Sequence, residues 1–124
     1  MKQAKIGIDI IEISRVKGAI SRWGERFLQR VFTNAELQLY RQKKESLAAR
    51  FAGKEAAIKA LGKPGTVIGW RDIEILSEAG GKPVVHLFGQ AQKQARELGW
   101  ERLEISLSHC KEYAVAVVIG QSRN

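Results

Sequence analysis

Lys54, Glu55 and Lys59 share one Ala- and Lys-rich stretch in which Leu47, Phe51, Ile58 and Leu61 recur at helical spacing. At about 100° per residue, Lys54 projects into that apolar sector, Glu55 lies at its margin and Lys59 beyond it. An unpaired buried charge is costly, so Lys54 must snorkel, pair with a carboxylate or meet an anion. Glu55 and Lys59 stand at i and i+4. On helix evidence alone they read as a surface salt bridge contributing about 0.3–0.5 kcal/mol. A second reading joins Glu55 to Asp9, the acid within Lys5-Ile6-Gly7-Ile8-Asp9-Ile10-Ile11. Two carboxylates suit Mg²⁺, which keeps several waters and completes its octahedron with phosphate oxygens. Nearby lysines would then neutralise the rest of a polyphosphate, as phosphoryl transfer requires. These residues alone leave both readings open.

Other chemistries have fewer of their parts. His109 and Cys110 are adjacent but lack the further ligands of a zinc site, and the chain has neither a Walker loop nor a Gly-x-Gly-x-x-Gly segment. His86 falls within a strand-like run and reads as structural. Ser106-Leu107-Ser108-His109 would either line a phosphate pocket or decorate a turn. Cys110 is the single cysteine, which excludes an intramolecular disulfide. No apolar run approaches the roughly 20 residues that span a bilayer, and Met-Lys-Gln-Ala-Lys leads directly into a strand-like segment. A reducing, cytoplasmic setting is expected.

The 124 residues carry 21 Lys and Arg against 13 Asp and Glu, a formal charge of +8, with 44% hydrophobic residues and two prolines. That composition predicts one folded domain over 1–124 and argues against disorder. The charge is local: residues 15–54 hold ten Lys or Arg and three Glu, a net of +7. A localised positive face implies an anionic partner: nucleic acid, an acidic protein or a polyphosphate.

The elements that must position these residues follow from periodicity. Ile6, Ile8 and Ile10 alternate as in a strand, with Gly7 and Asp9 on its other face. From 13 to 31, Ile13, Val16, Ile20, Trp23, Phe27 and Val31 fall within one helical sector of about 80°, which Gly24 interrupts, while Arg15, Arg22, Arg26 and Arg30 form a neighbouring stripe. Thr33-Asn34-Ala35-Glu36 reads as a capping box opening a short helix. Ser46 is the expected cap of a helix over 47–61, stopped by Gly62. Residues 72–76 and 83–88 read as strands of a hairpin turning through Ala79-Gly80-Gly81-Lys82, 90–98 as a helix, and 103–108 and 113–119 as strands. The predicted fold class is α+β, an antiparallel sheet with helices packed on it. Residues 114–119 are apolar on both faces, as befits a strand covered twice or one lying centrally under the chain's own helices.

Gly7-Ile8-Asp9-Ile10, Arg50-Phe51-Ala52-Gly53-Lys54-Glu55-Ala56-Ala57-Ile58-Lys59-Ala60-Leu61-Gly62, Gly81-Lys82-Pro83 and Ser106-Leu107-Ser108-His109 with Tyr113-Ala114 occur in an order with a known counterpart. From Lys5 to Ile119 the chain resembles the bacterial holo-[acyl-carrier-protein] synthases, the small stand-alone class of 4′-phosphopantetheinyl transferases. The motif built on Arg50, Phe51, Lys54, Glu55 and Lys59, some 40 residues after the first aspartate, carries most of the specificity.

The resemblance implies transfer of the 4′-phosphopantetheine arm of coenzyme A to a serine of apo acyl carrier protein, releasing adenosine 3′,5′-bisphosphate, in the service of fatty acid and lipid metabolism. It implies Mg²⁺ as cofactor, with Asp9 and Glu55 as metal ligands and Glu55 and Lys59 as catalytic residues. Lys54, Lys59 and His109 are assigned to the coenzyme, and Arg15, Arg22 and Arg26 to the acidic carrier protein; Phe27 reads as carrier contact or core. The position of a third acid in larger, two-lobed relatives is Ile11 here, where a water is expected. The resemblance also implies a homotrimer with sites between subunits, no nucleic acid and no membrane. A small nucleic-acid-binding module and a generic Mg²⁺-dependent diphosphate hydrolase are the alternative functions; Trp23 and Phe27, placed on the apolar face, argue against a stacking surface for single strands.

Overall fold

The structure, a computed structural model, describes residues 3–122. Met1 and Lys2, at the start of the expected direct entry into the first strand, lie outside that range, as do Arg123 and Asn124. The element order is β1 (Ala4–Glu12), α1 (Ile13–Trp23), α2 (Glu25–Val31), α3 (Asn34–Tyr40), α4 (Lys44–Leu61), β2 (Ile73–Ser77), β3 (Pro83–Leu87), α5 (Gly89–Glu97), β4 (Trp100–His109) and β5 (Tyr113–Ser122). A single 3₁₀ turn, Trp70–Asp72, precedes β2. One antiparallel sheet has the order β1-β5-β4, and β2 and β3 form a separate antiparallel hairpin. The architecture is the expected α+β.

α4 is the axis of the molecule. It packs on β1, β5 and β4 of the larger sheet and on β2 of the hairpin. Ala52, Ala56, Ala57 and Ala60 are buried with Ile73, Ile75, Ala116 and Val118. Small side chains let the strands come close, and the closest approach is at Gly7: a Cβ there would lie 1.8 Å from the Ala56 carbonyl oxygen. Only glycine fits, so β1 is held to α4 by backbone-to-backbone contact.

That contact decides which face of β1 points inward. Gly7 is buried and Asp9 half-buried, while Ile6, Ile8 and Ile10 are 66%, 57% and 64% exposed. The pairing of β1 with β5 sets Ile6, Ile8 and Ile10 opposite Ile119, Val117 and Val115, so six β-branched residues share the face turned away from α4. β5 is central in its sheet, and the chain's own helix covers the face bearing Ala114, Ala116 and Val118.

Two sequence expectations shift at helix starts. α4 begins at Lys44, not after Ser46, because the Leu47 N–H already bonds the Lys43 carbonyl at 3.0 Å; Ser46 lies inside the first turn and caps nothing. The amphipathic run over 13–31 is two helices, broken at Gly24, whose φ of 55° turns the chain. The capping box of α3 is present as expected, with Thr33 Oγ1 accepting from the Glu36 N–H at 3.2 Å and Glu36 Oε1 accepting from the Thr33 N–H at 2.8 Å. No helix among the described residues is long and apolar enough to cross a membrane.

Candidate active site

The tight packing of Gly7 places the next inward residue of β1, Asp9, against the C-terminal half of α4. There Lys59 Nζ donates to Asp9 Oδ1 at 3.0 Å and to the Ile8 carbonyl at 3.1 Å. One turn earlier, Glu55 Oε2 accepts from the Trp70 indole Nε1 at 2.8 Å. The intrahelical Glu55–Lys59 bridge is therefore not formed. Each residue bonds a different element: Lys59 to β1, and Glu55 to the 3₁₀ turn.

Asp9 and Glu55 line one cleft of about 340 Å³ together with Ile11, Arg15, Phe27 and Phe51. Among the described residues, Asp9 Oδ2 and Glu55 Oε1 make no hydrogen bond, so each carboxylate retains an oxygen for a ligand. No cluster of three or more His, Cys, Asp or Glu occurs among the described residues. Two carboxylates with spare oxygens fit Mg²⁺, which takes few protein ligands and fills its remaining positions with water and phosphate. Ile11 lines the same cleft, and its side chain adds no oxygen.

Lys54 corrects a sequence expectation. Although placed with the coenzyme by resemblance, its side chain is fully buried and does not line the cleft of Asp9 and Glu55. Its Nζ pairs with Glu36 Oε1 at 2.8 Å and donates to the carbonyls of Trp70, at 3.1 Å, and Ile73. Three donors meet three acceptors, leaving none for a phosphate. Burial pushes the ammonium's pKa down and the Glu36 carboxylate pushes it back up, the burial effect being larger. Of the three fates open to a charge in an apolar sector, Lys54 takes the carboxylate.

Glu36 is equally committed. Besides closing the α3 capping box it accepts from the Ile75 N–H at 2.7 Å through Oε2. Arg50, one turn before Lys54, donates to the Ile75 carbonyl at 3.0 Å and to Ser77 Oγ at 2.9 Å, and stacks on the Tyr40 ring at 3.7 Å. Arg50 and Lys54 thereby engage the free backbone edge of β2, groups that would otherwise invite another strand. The motif Arg50-Phe51-Ala52-Gly53-Lys54-Glu55 thus divides, its first two charged positions binding the hairpin and Glu55 facing the cleft.

His109 does not join Asp9 and Glu55 within the chain. It is exposed and lines a second cleft of about 260 Å³ with Tyr40, Ser46, Arg50, Ser77 and Pro83. Arg15, Arg22 and Arg26 are all exposed. Arg15 reaches the carboxylate cleft itself, and Arg26 lines a neighbouring groove of about 350 Å³ with Trp23, Phe27, Arg30 and Trp70. Trp23, expected on the packed face, is 52% exposed because the chain breaks at Gly24 directly after it. Phe27 packs edge-on against Phe32 and Phe51 and also forms a wall of both grooves. Trp70 was not singled out by the sequence, since its indole meets Glu55 across 15 residues. The signal available was a polar-tipped aromatic just before a strand, a position common to many folds.

The family model described as the 4′-phosphopantetheinyl transferase superfamily matches residues 5–118. The holo-[acyl-carrier-protein] synthase of Dehalococcoides mccartyi is 53% identical over 115 residues, covering 93% of this chain and 96% of that one. The Herpetosiphon aurantiacus protein of the same name is 47% identical, with coverage of 92% and 95%. The fold is similar to that of the Helicobacter pylori holo-[acyl-carrier-protein] synthase solved in complex with coenzyme A, with a TM-score of 0.82, 32% identity and coverage of 93% and 98%. By family model, relatives and fold alike, this chain belongs to the 4′-phosphopantetheinyl transferase superfamily, among its holo-[acyl-carrier-protein] synthases.

Proposed function

We infer that this chain transfers the 4′-phosphopantetheine arm of coenzyme A to a serine of apo acyl carrier protein, leaving holo acyl carrier protein and adenosine 3′,5′-bisphosphate. The observation that carries the reading is the convergence of Asp9 and Glu55 on one cleft, with Lys59 on Asp9 and Arg15 at the rim. Asp9 and Glu55 would hold Mg²⁺, whose chemistry is to neutralise the coenzyme's diphosphate and make its phosphorus more electrophilic.

The chain's own residues supply the remainder. The acceptor hydroxyl forms a new O–P bond at the β-phosphorus as the phosphoanhydride O–P bond breaks, its electron pair departing on adenosine 3′,5′-bisphosphate. The serine proton passes to Glu55, directly or through a water. Lys59, with 58% of its side chain exposed, offers a positive charge toward the leaving phosphate while orienting Asp9. Phe27 and Phe51 give the cleft an apolar wall, which strengthens these charge interactions by excluding water.

Arg15, Arg22 and Arg26 are the carrier-protein contacts in this reading, supported by their exposure along α1 and α2 beside the cleft. His109 is kept as a coenzyme contact contributed by a neighbouring subunit of a homotrimer. Support for that assembly is the outward face of β1 and β5, where exposed Ile6, Ile8, Ile10 and Ile119 form an apolar surface larger than scattered single residues would. Sedimentation at micromolar concentration should give three times the 13.8 kDa chain mass; a monomer would remove both the trimer and the His109 assignment. A cytoplasmic setting belongs to the same reading.

The deciding experiment incubates the protein with coenzyme A, Mg²⁺ and an apo carrier protein and weighs the carrier by mass spectrometry. Addition of one phosphopantetheine arm to the acceptor serine is expected. Coenzyme A cleavage that leaves the carrier unmodified would point instead to a diphosphate hydrolase, and no reaction with tight, salt-sensitive RNA binding to a nucleic-acid module.

A further inference from the structure

The carboxylate of Glu55 is held at one oxygen by a group that no motif of the sequence supplies. We propose that Trp70 is the positioning residue for Glu55: its indole N–H fixes Oε2, so that Oε1 is the oxygen presented to the cleft. The proposal rests on the transferase reading of that cleft.

Glutamate has rotatable bonds enough to swing its carboxylate, and Glu55 is only half-buried at the edge of α4. A carboxylate that serves both a metal and a proton needs a fixed orientation. Trp70 is well anchored for the task. Its carbonyl accepts from the fully buried Lys54 Nζ at 3.1 Å, its ring tilts against Phe51 at 5.6 Å, and its turn is closed by Asp72 Oδ2 accepting from the Gly69 N–H at 3.3 Å. The chemistry of the donor also matters. An indole N–H only donates, and unlike lysine or arginine it brings no positive charge to compete with a divalent cation for the same carboxylate.

The arrangement gives the buried ion pair a functional end. Glu36 holds Lys54, Lys54 holds the Trp70 backbone, and the Trp70 side chain holds Glu55. Trp70 also walls the groove lined by Trp23, Arg26 and Arg30.

Trp70→Phe keeps an aromatic ring and removes the N–H. Loss of a hydrogen bond to a charged group predicts a fall of about tenfold in kcat, with KM for coenzyme A and for the carrier within about twofold of wild type. In a Glu55→Gln background the same substitution should cost less than about twofold, because Trp70 acts through Glu55. The magnesium-free protein provides a second readout. The ¹H–¹⁵N indole resonance lost in Trp70→Phe should move in Glu55→Gln, while those of Trp23 and Trp100 stay in place. If Trp70→Phe is poorly folded, benzothienylalanine at position 70 keeps the ring shape without the N–H. Wild-type kcat in the N–H-less protein, multiplicative losses in the double variant, or a Trp70 indole resonance indifferent to Glu55→Gln would each overturn the proposal. Absence of transfer by the wild-type chain would refute the transferase reading instead, and the indole resonance would still test the bond.

Discussion

Lys54 and Lys59 stand on the same helix in similar sequence surroundings, each bonded to a carboxylate and to backbone carbonyl oxygen, yet they belong to different regions of the molecule. The Lys54–Glu36 pair is fully buried on both sides, whereas in the Lys59–Asp9 pair the side chains are 58% and 17% exposed. Around the first, donors and acceptors are matched: Glu36 receives Lys54 and the N–H groups of Thr33 and Ile75. Around the second, Asp9 keeps one oxygen and opens on a cleft. A charge that is completely satisfied fixes the fold, and one that is partly satisfied is available to a ligand. Residue type and helical spacing are alike in the two places; what separates them is how many partners the surrounding elements bring.

The strongest way to break this contrast is to remove one member of the buried pair. Lys54→Met leaves Glu36 without its counter-charge, and unfolding in urea should show a loss of about 3–5 kcal/mol. Adding Glu36→Gln, which removes the uncompensated charge and keeps one of the two acceptor oxygens, should recover part of that loss. A Lys54→Met protein as stable as wild type would show that the pair does not hold the hairpin to α4.

The matching change at the open pair should invert the pattern. Lys59→Met is expected to lower kcat of carrier modification by about 10- to 100-fold, while its unfolding midpoint stays close to wild type because exposed ion pairs contribute at most about 1 kcal/mol. A large stability loss with normal turnover would make Lys59 a second structural lysine.

The smallest effect belongs to the arginine stripe, of which Arg15 reaches the rim of the open cleft and Arg22 does not line it. Arg15→Glu with Arg22→Glu should raise KM for the apo carrier about tenfold, with a weaker dependence on salt than wild type shows, because screening acts on the charges that were removed. An unchanged KM would take these arginines out of carrier docking.

Much of this contrast was legible in residue order. The capping box at Thr33 and Glu36, the stop at Gly62 and the hairpin through Gly81 are local devices, and each holds in the structure. The wheel put Lys54 in the apolar sector, so its need for a partner was visible, but the partner was not: Glu36 lies on another helix and its capping role hid its second use. Ile6, Ile8 and Ile10 marked a strand without saying which face it buries, because that depends on Gly7 meeting Ala56. Alternation records that two faces differ; close approach decides which one is inside. Ser46 is a good cap by type, but the helix has already begun on the Lys43 carbonyl, which residue type alone does not reveal.

Glu55, free of the helix-surface bridge to Lys59, and Asp9, paired with Lys59 through one oxygen only, are the carboxylates proposed to do the chemistry of the cleft. The most direct test is the turnover of Glu55→Gln in the carrier-modification assay at saturating Mg²⁺, with folding checked by its melting curve. A fall on the order of 10²-fold or more with a near-native melt is expected; wild-type turnover would contradict both the metal-ligand and the proton-acceptor roles of Glu55.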